Sequence, residues 1–192
     1  MMRSQLVLTL IGLDRPGLVE TIAAEVARHN GNWEESRMAR LAGHFAGLLR
    51  VSVPADAAQP LADALSQLTS TGLKLIVEPV GAVPTMNRES SPGRPLRLEL
   101  VGNDRAGIVR DLARVLSRRN VNVEELHTSC EAAPMAGGML FRATALVRVP
   151  NDVPLDDLRA ALESLADDLM VELSVDTVPT DAPPRSAGGA TE

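Results

Sequence analysis

Residues 5–12 place apolar side chains on both phases of a strand: Leu6, Leu8 and Leu10 on one face, Val7 and Ile11 with Thr9 on the other. Both faces are therefore expected to be covered. The period then changes, and Val19, Ile22, Ala23 and Val26 recur at helical spacing, preceded by Asp14 as a capping candidate and by Pro16, which suits a first helical turn. Asn30-Gly31 predicts the helix end, because glycine tolerates the left-handed backbone found there. Residues 32–41 are polar but extended in character, and residues 44–53 alternate with Phe45, Leu49, Val51 and Val53 on one face. These read as two strands turning at Ala42-Gly43. Leu61, Ala64, Leu65 and Leu68 mark a second helix ended near Gly72, and residues 73–80 a fourth strand. The order is strand, helix, strand, strand, helix, strand.

The same order is then written again. Residues 12–35 reappear at 102–125 without a gap, at an offset of ninety, with Gly12/Gly102, Asp14/Asp104, Arg15/Arg105, Gly17/Gly107, Val19/Val109, Ala23/Ala113, Arg28/Arg118, Asn30/Asn120, Asn32/Asn122, Glu34/Glu124 and Glu35/Glu125 identical. Most remaining pairs are apolar for apolar, including Leu18/Ile108, Ile22/Leu112, Val26/Leu116 and Trp33/Val123, so one structural unit is used twice. The second copy predicts strands at 96–102, 121–130, 139–149 and 170–178 and helices at 106–119 and 155–166. Phe45, Val51, Val53 and Pro54 match Phe141, Val147, Val149 and Pro150, and Leu61, Ala64, Leu65 and Leu68 match Leu158, Ala161, Leu162 and Leu165. The copies differ mainly in the second hairpin, which gains residues 131–138 as a longer, glycine-rich surface tip open to a partner.

The domains expected are therefore 4–80 and 96–178, joined by a linker at 81–95 and followed by a disordered tail at 179–192, both rich in Pro, Gly and Ser or Ala. A strand-helix-strand repeated with an extra hairpin folds most simply as an α+β, ferredoxin-like βαββαβ unit: a four-stranded antiparallel sheet with two helices on one face. The helices cover only that face. The apolar residues opposite favour close packing of the two copies, directly or through a homodimer.

Composition narrows the function. Of 192 residues 45% are apolar and only 2% aromatic, so the cores must be built from Leu, Val, Ile and Ala. A net charge of −6 argues against direct nucleic-acid binding, which needs Lys and Arg concentrated on one face. The apolar run at 6–13 is cut off by Asp14-Arg15-Pro16-Gly17 and reads as a strand rather than a signal, and no stretch approaches the roughly 20 apolar residues of a membrane span. The single Cys130 excludes an internal disulfide. A cytoplasmic protein is expected.

The repeated G-x-D-R-x-G segment joins the first strand to the first helix, so its backbone amides and the helix N-terminus point into a crevice that attracts anions. Gly17 and Gly107 carry no Cβ to obstruct a ligand, a carboxylate there could accept two or three amide hydrogen bonds, and Asp14 or Asp104 could bind an ammonium group. Asn32 and Asn122, opening the second strand, add an amide that donates and accepts. A purely structural explanation stands beside this one: Asp as cap, Pro as first-turn residue and Gly for close helix-to-sheet packing. Retention of Asp, Arg, Gly and Asn in both copies puts the two explanations on an equal footing.

Other chemistry is poorly supported. His127 and Cys130 are three apart in a strand and point to opposite faces, so no metal is expected; His29 and His44 read as solvated. Glu34-Glu35 and Glu124-Glu125 are adjacent in strands and are expected on opposite faces, not as an acid and base pair. Arg50, Arg142 and Arg148 lie on the opposite sheet phase from the core and are expected to solvate that face or pair with acids. Phe45 and Phe141, at the position where RNA-binding ferredoxin-like domains place a stacking aromatic, alternate in phase with core valines and read as core. Trp33 is expected to be buried where modules meet. No nucleophile-with-base arrangement or phosphate loop appears, so an enzyme is not expected.

These residues carry a resemblance. Segments 12–41 and 103–126 each resemble an ACT domain, a small regulatory module that binds amino acids, and the tandem pair is similar to the glycine cleavage system transcriptional repressor family. The resemblance implies ligands held by the loop after the first strand of one module and by the second strand of its neighbour: Gly12, Asp14, Arg15, Gly17 and Leu18 with Asn122, and Gly102, Asp104, Arg105, Gly107 and Ile108 with Asn32. Leu13/Asn103 and Pro16/Ala106 depart from identity, so unequal pockets are implied. It further implies no cofactor, a glycine- or serine-class ligand, and action through a partner transcription regulator. The alternative is a regulatory subunit in trans for an amino-acid or one-carbon enzyme of the phosphoserine phosphatase or formyltetrahydrofolate deformylase type. A small ferredoxin-like enzyme such as an acylphosphatase is a third reading.

Overall fold

The computed structural model describes residues 2–80, 93–132 and 138–177. Most of the expected linker, the tip of the second hairpin and the expected tail lie outside the described residues. The chain divides into two compact units, Met1–Thr85 and Met86–Glu192.

The first unit runs β1 (Arg3–Leu13), α1 (Leu18–Arg28), β2 (Asn32–Leu41), β3 (His44–Pro54), α2 (Ala58–Gln67) and β4 (Lys74–Pro79). Its four strands are antiparallel neighbours in the order β2-β3-β1-β4. The second unit repeats this with β5 (Arg94–Asn103), α3 (Ile108–Ser117), β6 (Asn122–Ala132), β7 (Met139–Val149), α4 (Leu155–Leu169) and β8 (Val171–Thr177), in the order β6-β7-β5-β8. Each is an α+β, ferredoxin-like βαββαβ fold, as the periodicities predict.

Each unit closes its own core. In the first, Leu6, Leu8 and Leu10 of β1, Leu49, Val51 and Val53 of β3 and Leu73 are packed under Leu18, Ile22 and Val26 of α1 and Leu61 and Leu65 of α2. The buried stripe of α1 thus starts at Leu18 rather than Val19, which is exposed, because the helix begins one residue after Gly17 and presents positions four apart to the sheet. In α3 the stripe is Ile108, Leu112 and Leu116. Trp33 is partly buried against the first unit's own core. On the second face of β1 Ile11 is exposed within the chain, as are Leu48 of β3 and Ile76 of β4, both of the latter lying in register with Thr9. The same face of the second sheet carries Arg97, Glu99, Arg142 and Thr144 beside Val101 and Leu146, so it is the more polar of the two.

Two local features differ from expectation. At the end of α1 the left-handed residue is Asn30 (φ 54°), not Gly31; the Asn30 amide donates to the Ala27 carbonyl and that of Gly31 to Val26, the paired bonds of a Schellman cap. Asn120 (φ 55°) and Val121 repeat both bonds, to Ser117 and Leu116. Gly31 serves space instead: a Cβ there would sit 2.7 Å from the Val26 side chain. The second feature is a β-bulge in each module, where the register of β2 and β6 shifts between Trp33 and Glu35 and between Val123 and Glu125. The extra residue cancels the alternation, so Glu34 and Glu35 do not diverge; both reach Arg50, at 3.4 Å each. In the second module Glu124 grips Arg148 through two hydrogen bonds, 2.5 and 3.2 Å.

Candidate ligand site

β1 ends against the β2–β3 turn, where the Asp14 amide donates to the Gly43 carbonyl (2.9 Å), and the chain swings into α1 through Gly17 at φ 89°. The second module repeats this with Asp104 donating to Met139 (2.8 Å) and Gly107 at φ 98°. The glycines take the N-cap positions, and neither helix has a side-chain cap. Asp14 is thus not the expected cap and Pro16 precedes the helix rather than opening it, because the left-handed glycine turns the chain before any Asp14 oxygen could face the first helical amides. Glycine serves the backbone here, since a side chain in this conformation costs about 1–2 kcal/mol. It does not serve close helix-to-sheet packing: a Cβ on Gly17 would meet nothing within 4 Å.

The first helical bond is accepted by the Gly17 carbonyl from Thr21, whose hydroxyl donates to the same oxygen. The amides of Leu18, Val19 and Glu20 precede that bond and have no helical acceptor, and Ile108, Val109 and Arg110 stand in the same relation to Gly107. These amides and the helix dipole favour an anion. In the first module the loop walls two adjoining hollows. One of about 280 Å³ is lined by Asp14, Arg15, Gly17, Leu18, Val19, Glu20 and Phe45, and one of about 110 Å³ by Gly12, Leu13, Arg15, Leu18, Gly72 and Leu73. Arg15 borders both. A larger depression of about 840 Å³ in the second module, lined by Arg118, Arg119, Asn120 and the start of α4, is a broad surface groove at the opposite end of α3 from Gly107.

The structure brings Gly12, Asp14, Arg15, Gly17 and Leu18 together around these hollows, Leu18 with its side chain in the core and only its backbone turned to the loop. Gly102, Asp104, Arg105, Gly107 and Ile108 form the matching loop, Ile108 likewise buried. Asn32 and Asn122 are not part of their own module's loop. Asn32 faces Ser52, which faces Gln5, seven residues of β1 away from Gly12, or roughly 23 Å at strand rise. Asn122 is displaced equally, through Arg148 and Pro95.

Two residues that face the loop aspartates escaped the motif reading. Arg40 on β2 places its Nε 2.8 Å from the Asp14 carboxylate. Its ladder position, opposite Phe45, is that of Cys130 opposite Phe141 in the second module. Cys130 is a free, exposed thiol whose pKa is raised, first by partial loss of water and then by the charge of Asp104 and hydrogen bonding to it. Among the described residues no Arg or Lys forms an ion pair with Asp104. The ninety-residue offset, carried five residues past Glu35/Glu125, pairs Arg40 with Cys130 and was the available signal. The helix side differs as well: Arg110, in the place of Glu20, binds Asp111 at 2.9 Å, and the charges of Arg114 and Arg105 help hold the Asp111 carboxyl below its usual pKa.

Elsewhere the described residues contain no cluster of three or more His, Cys, Asp or Glu suited to a metal ion. His29 is part-buried, with Nδ1 2.9 Å from the Glu25 carbonyl, while His44 is exposed beside the Ala42 carbonyl. Among the described residues no helix is long and apolar enough to cross a membrane.

Comparison with known proteins agrees with the fold. Residues 4–78 match the sequence family of the ACT domain. No curated protein sequence matches the chain. The solved structure of an unknown protein from Galdieria sulphuraria is 28% identical over 93% of this chain and 100% of its own, with a TM-score of 0.77. A protein provisionally called a glycine cleavage system transcriptional repressor is 18% identical over 93% of this chain and 99% of its own, with a TM-score of 0.67.

Proposed function

We propose that this tandem ACT-domain chain is a non-enzymatic sensor whose Gly12–Leu18 and Gly102–Ile108 loops bind a small amino acid of the glycine or serine class. The bound state then alters a protein partner, a transcription regulator of glycine cleavage. The observation that carries the reading is the loop itself: uncapped helix amides, a left-handed glycine, an aspartate and an arginine, in both modules, with Arg15 bordering two small hollows in the first. Amides and arginine suit a carboxylate, and an aspartate suits an ammonium group. The choice of partner follows the likeness to the provisional repressor and the net charge of −6, which disfavours direct reading of DNA.

A magnitude bounds the ligand's affinity. Glycine has five non-hydrogen atoms, and a ceiling of about −1.5 kcal/mol per atom gives roughly −7.5 kcal/mol, a Kd no tighter than a few µM. That range suits an abundant metabolite. Such a ligand regulates only if it binds two arrangements of the protein unequally.

The test is a thermal-shift and Trp33-fluorescence titration of the full chain against the twenty amino acids, with Arg15→Ala and Arg105→Ala as controls. Stabilisation by one or two small amino acids at µM to mM concentration, reduced by either substitution, is expected. Folded protein that responds to none of the twenty overturns the sensor reading.

A further inference from the structure

The two loops share a backbone but not a charge distribution. On the strand side, Asp14 is met by Arg40, whereas Asp104 is met by the uncharged Cys130 at the equivalent ladder position. On the helix side, the first module presents Arg15 and Glu20 with Thr21 and Ala24, a net charge of zero. The second presents Arg105, Arg110 and Arg114 against Asp111, a net of +2 by the same count over matched positions (three positive, one negative). Glu20 moreover borders the first loop's hollow beside the amides a carboxylate would need. Both differences act in one direction. A zwitterion with its carboxylate on the helix amides and its ammonium on the aspartate meets matching charges in the second loop. In the first it meets a glutamate at one end and an aspartate already paired with Arg40 at the other.

We propose that the second loop is the amino-acid-selective site of the pair, with Asp104 as the ammonium acceptor, and that Arg40 makes the first loop the weaker and less selective one. This rests on the sensor reading and deepens it by assigning selectivity to Arg40 and Cys130. An exposed pair such as Asp14–Arg40 is worth up to about 1 kcal/mol, so displacing Arg40 weakens ammonium binding up to about fivefold before any repulsion between the two cations.

The experiment uses the full chain, ¹⁵N-labelled, with the amides of Gly17 and Gly107 followed separately during titration with glycine, serine and glycolate, which keeps the carboxylate but replaces the ammonium with a hydroxyl. Glycine or serine should bind at Gly107 at least about threefold more tightly than at Gly17, and glycolate should lose the part of that preference owed to the ammonium group. Cys130→Arg should narrow the difference and Arg40→Cys should narrow it from the other side, each leaving the part owed to the helix-side charges. Equal affinities, tighter binding at Gly17, or a preference left unchanged by Cys130→Arg in protein with an otherwise unchanged spectrum overturns the assignment while leaving the sensor intact. Silence of both amides toward both amino acids overturns the assignment together with the sensor reading for this ligand class.

Discussion

The Arg40 guanidinium lies 2.8 Å from the Asp14 carboxylate, across 26 residues of sequence, on side chains that are 70% and 36% exposed. Contact this open to water sets local charge more than it sets stability. A double-mutant cycle of Arg40→Ala and Asp14→Ala, followed by urea denaturation, should therefore give a coupling of about 1 kcal/mol or less. A coupling above about 2 kcal/mol would mean that the pair organises the loop rather than tuning it.

In the second module the corresponding contact is chemical. The raised pKa of Cys130 means that its thiol keeps its proton at a pH where a free cysteine has begun to ionise. Alkylation by iodoacetamide, which consumes the thiolate, should follow a pH profile displaced upward from that of a free cysteine. Asp104→Asn removes the opposing charge, so the profile should move down, and only part of the way, since lost water is the larger cause. An unchanged profile in Asp104→Asn would separate the two residues.

The helix ends predict opposite outcomes at neighbouring positions. Asn30→Gly should be neutral or slightly stabilising, because the site needs a left-handed backbone, while Asn30→Ala should cost about 1 kcal/mol. Gly31→Ala should cost about 1–3 kcal/mol by driving a methyl into Val26. Thermal denaturation followed by circular dichroism orders the three variants, and a tolerated Gly31→Ala would contradict the close approach.

Leu65 is fully buried in the first core, and the module that contains it spans only about eighty residues. Leu65→Ala should cost about 2–5 kcal/mol, a large share of the roughly 4–12 kcal/mol typical of a unit that size. Trp33, packed against that core, reports the loss as an earlier fluorescence transition in urea.

The fold was legible in the sequence because it rests on local periods: the alternation of Leu6, Leu8 and Leu10, and the four-residue spacing of Ile22 and Val26, each name one buried face. The duplication then confirmed each element against its copy. The candidate loop was legible in the same way, since Asp, Arg and Gly recur together. What stayed hidden depends on register between distant strands. One bulged residue turned Glu34 and Glu35 onto Arg50, and no alternation rule anticipates an inserted residue. Gly17 could be read as packing or as backbone freedom, and only its φ of 89° and empty surroundings decide for the second. The apolar phase Val7–Ile11 marks a face suited to cover, but a strand's sequence does not say what covers it.

Asn30 also carries a meaning in time. An asparagine followed by glycine is the sequence most prone to ageing, since the next backbone nitrogen can attack the side-chain amide and leave an aspartate or isoaspartate behind. Here that nitrogen belongs to Gly31 and is hydrogen-bonded to the Val26 carbonyl at 2.8 Å, so the folded cap withholds the attacking atom. Damage at this bond thus accumulates only while the end of α1 is open. The second module, with Val121 after Asn120, slows the same reaction by bulk as well. Isoaspartate at residue 30 would serve as a slow chemical record of how often the first module has come apart.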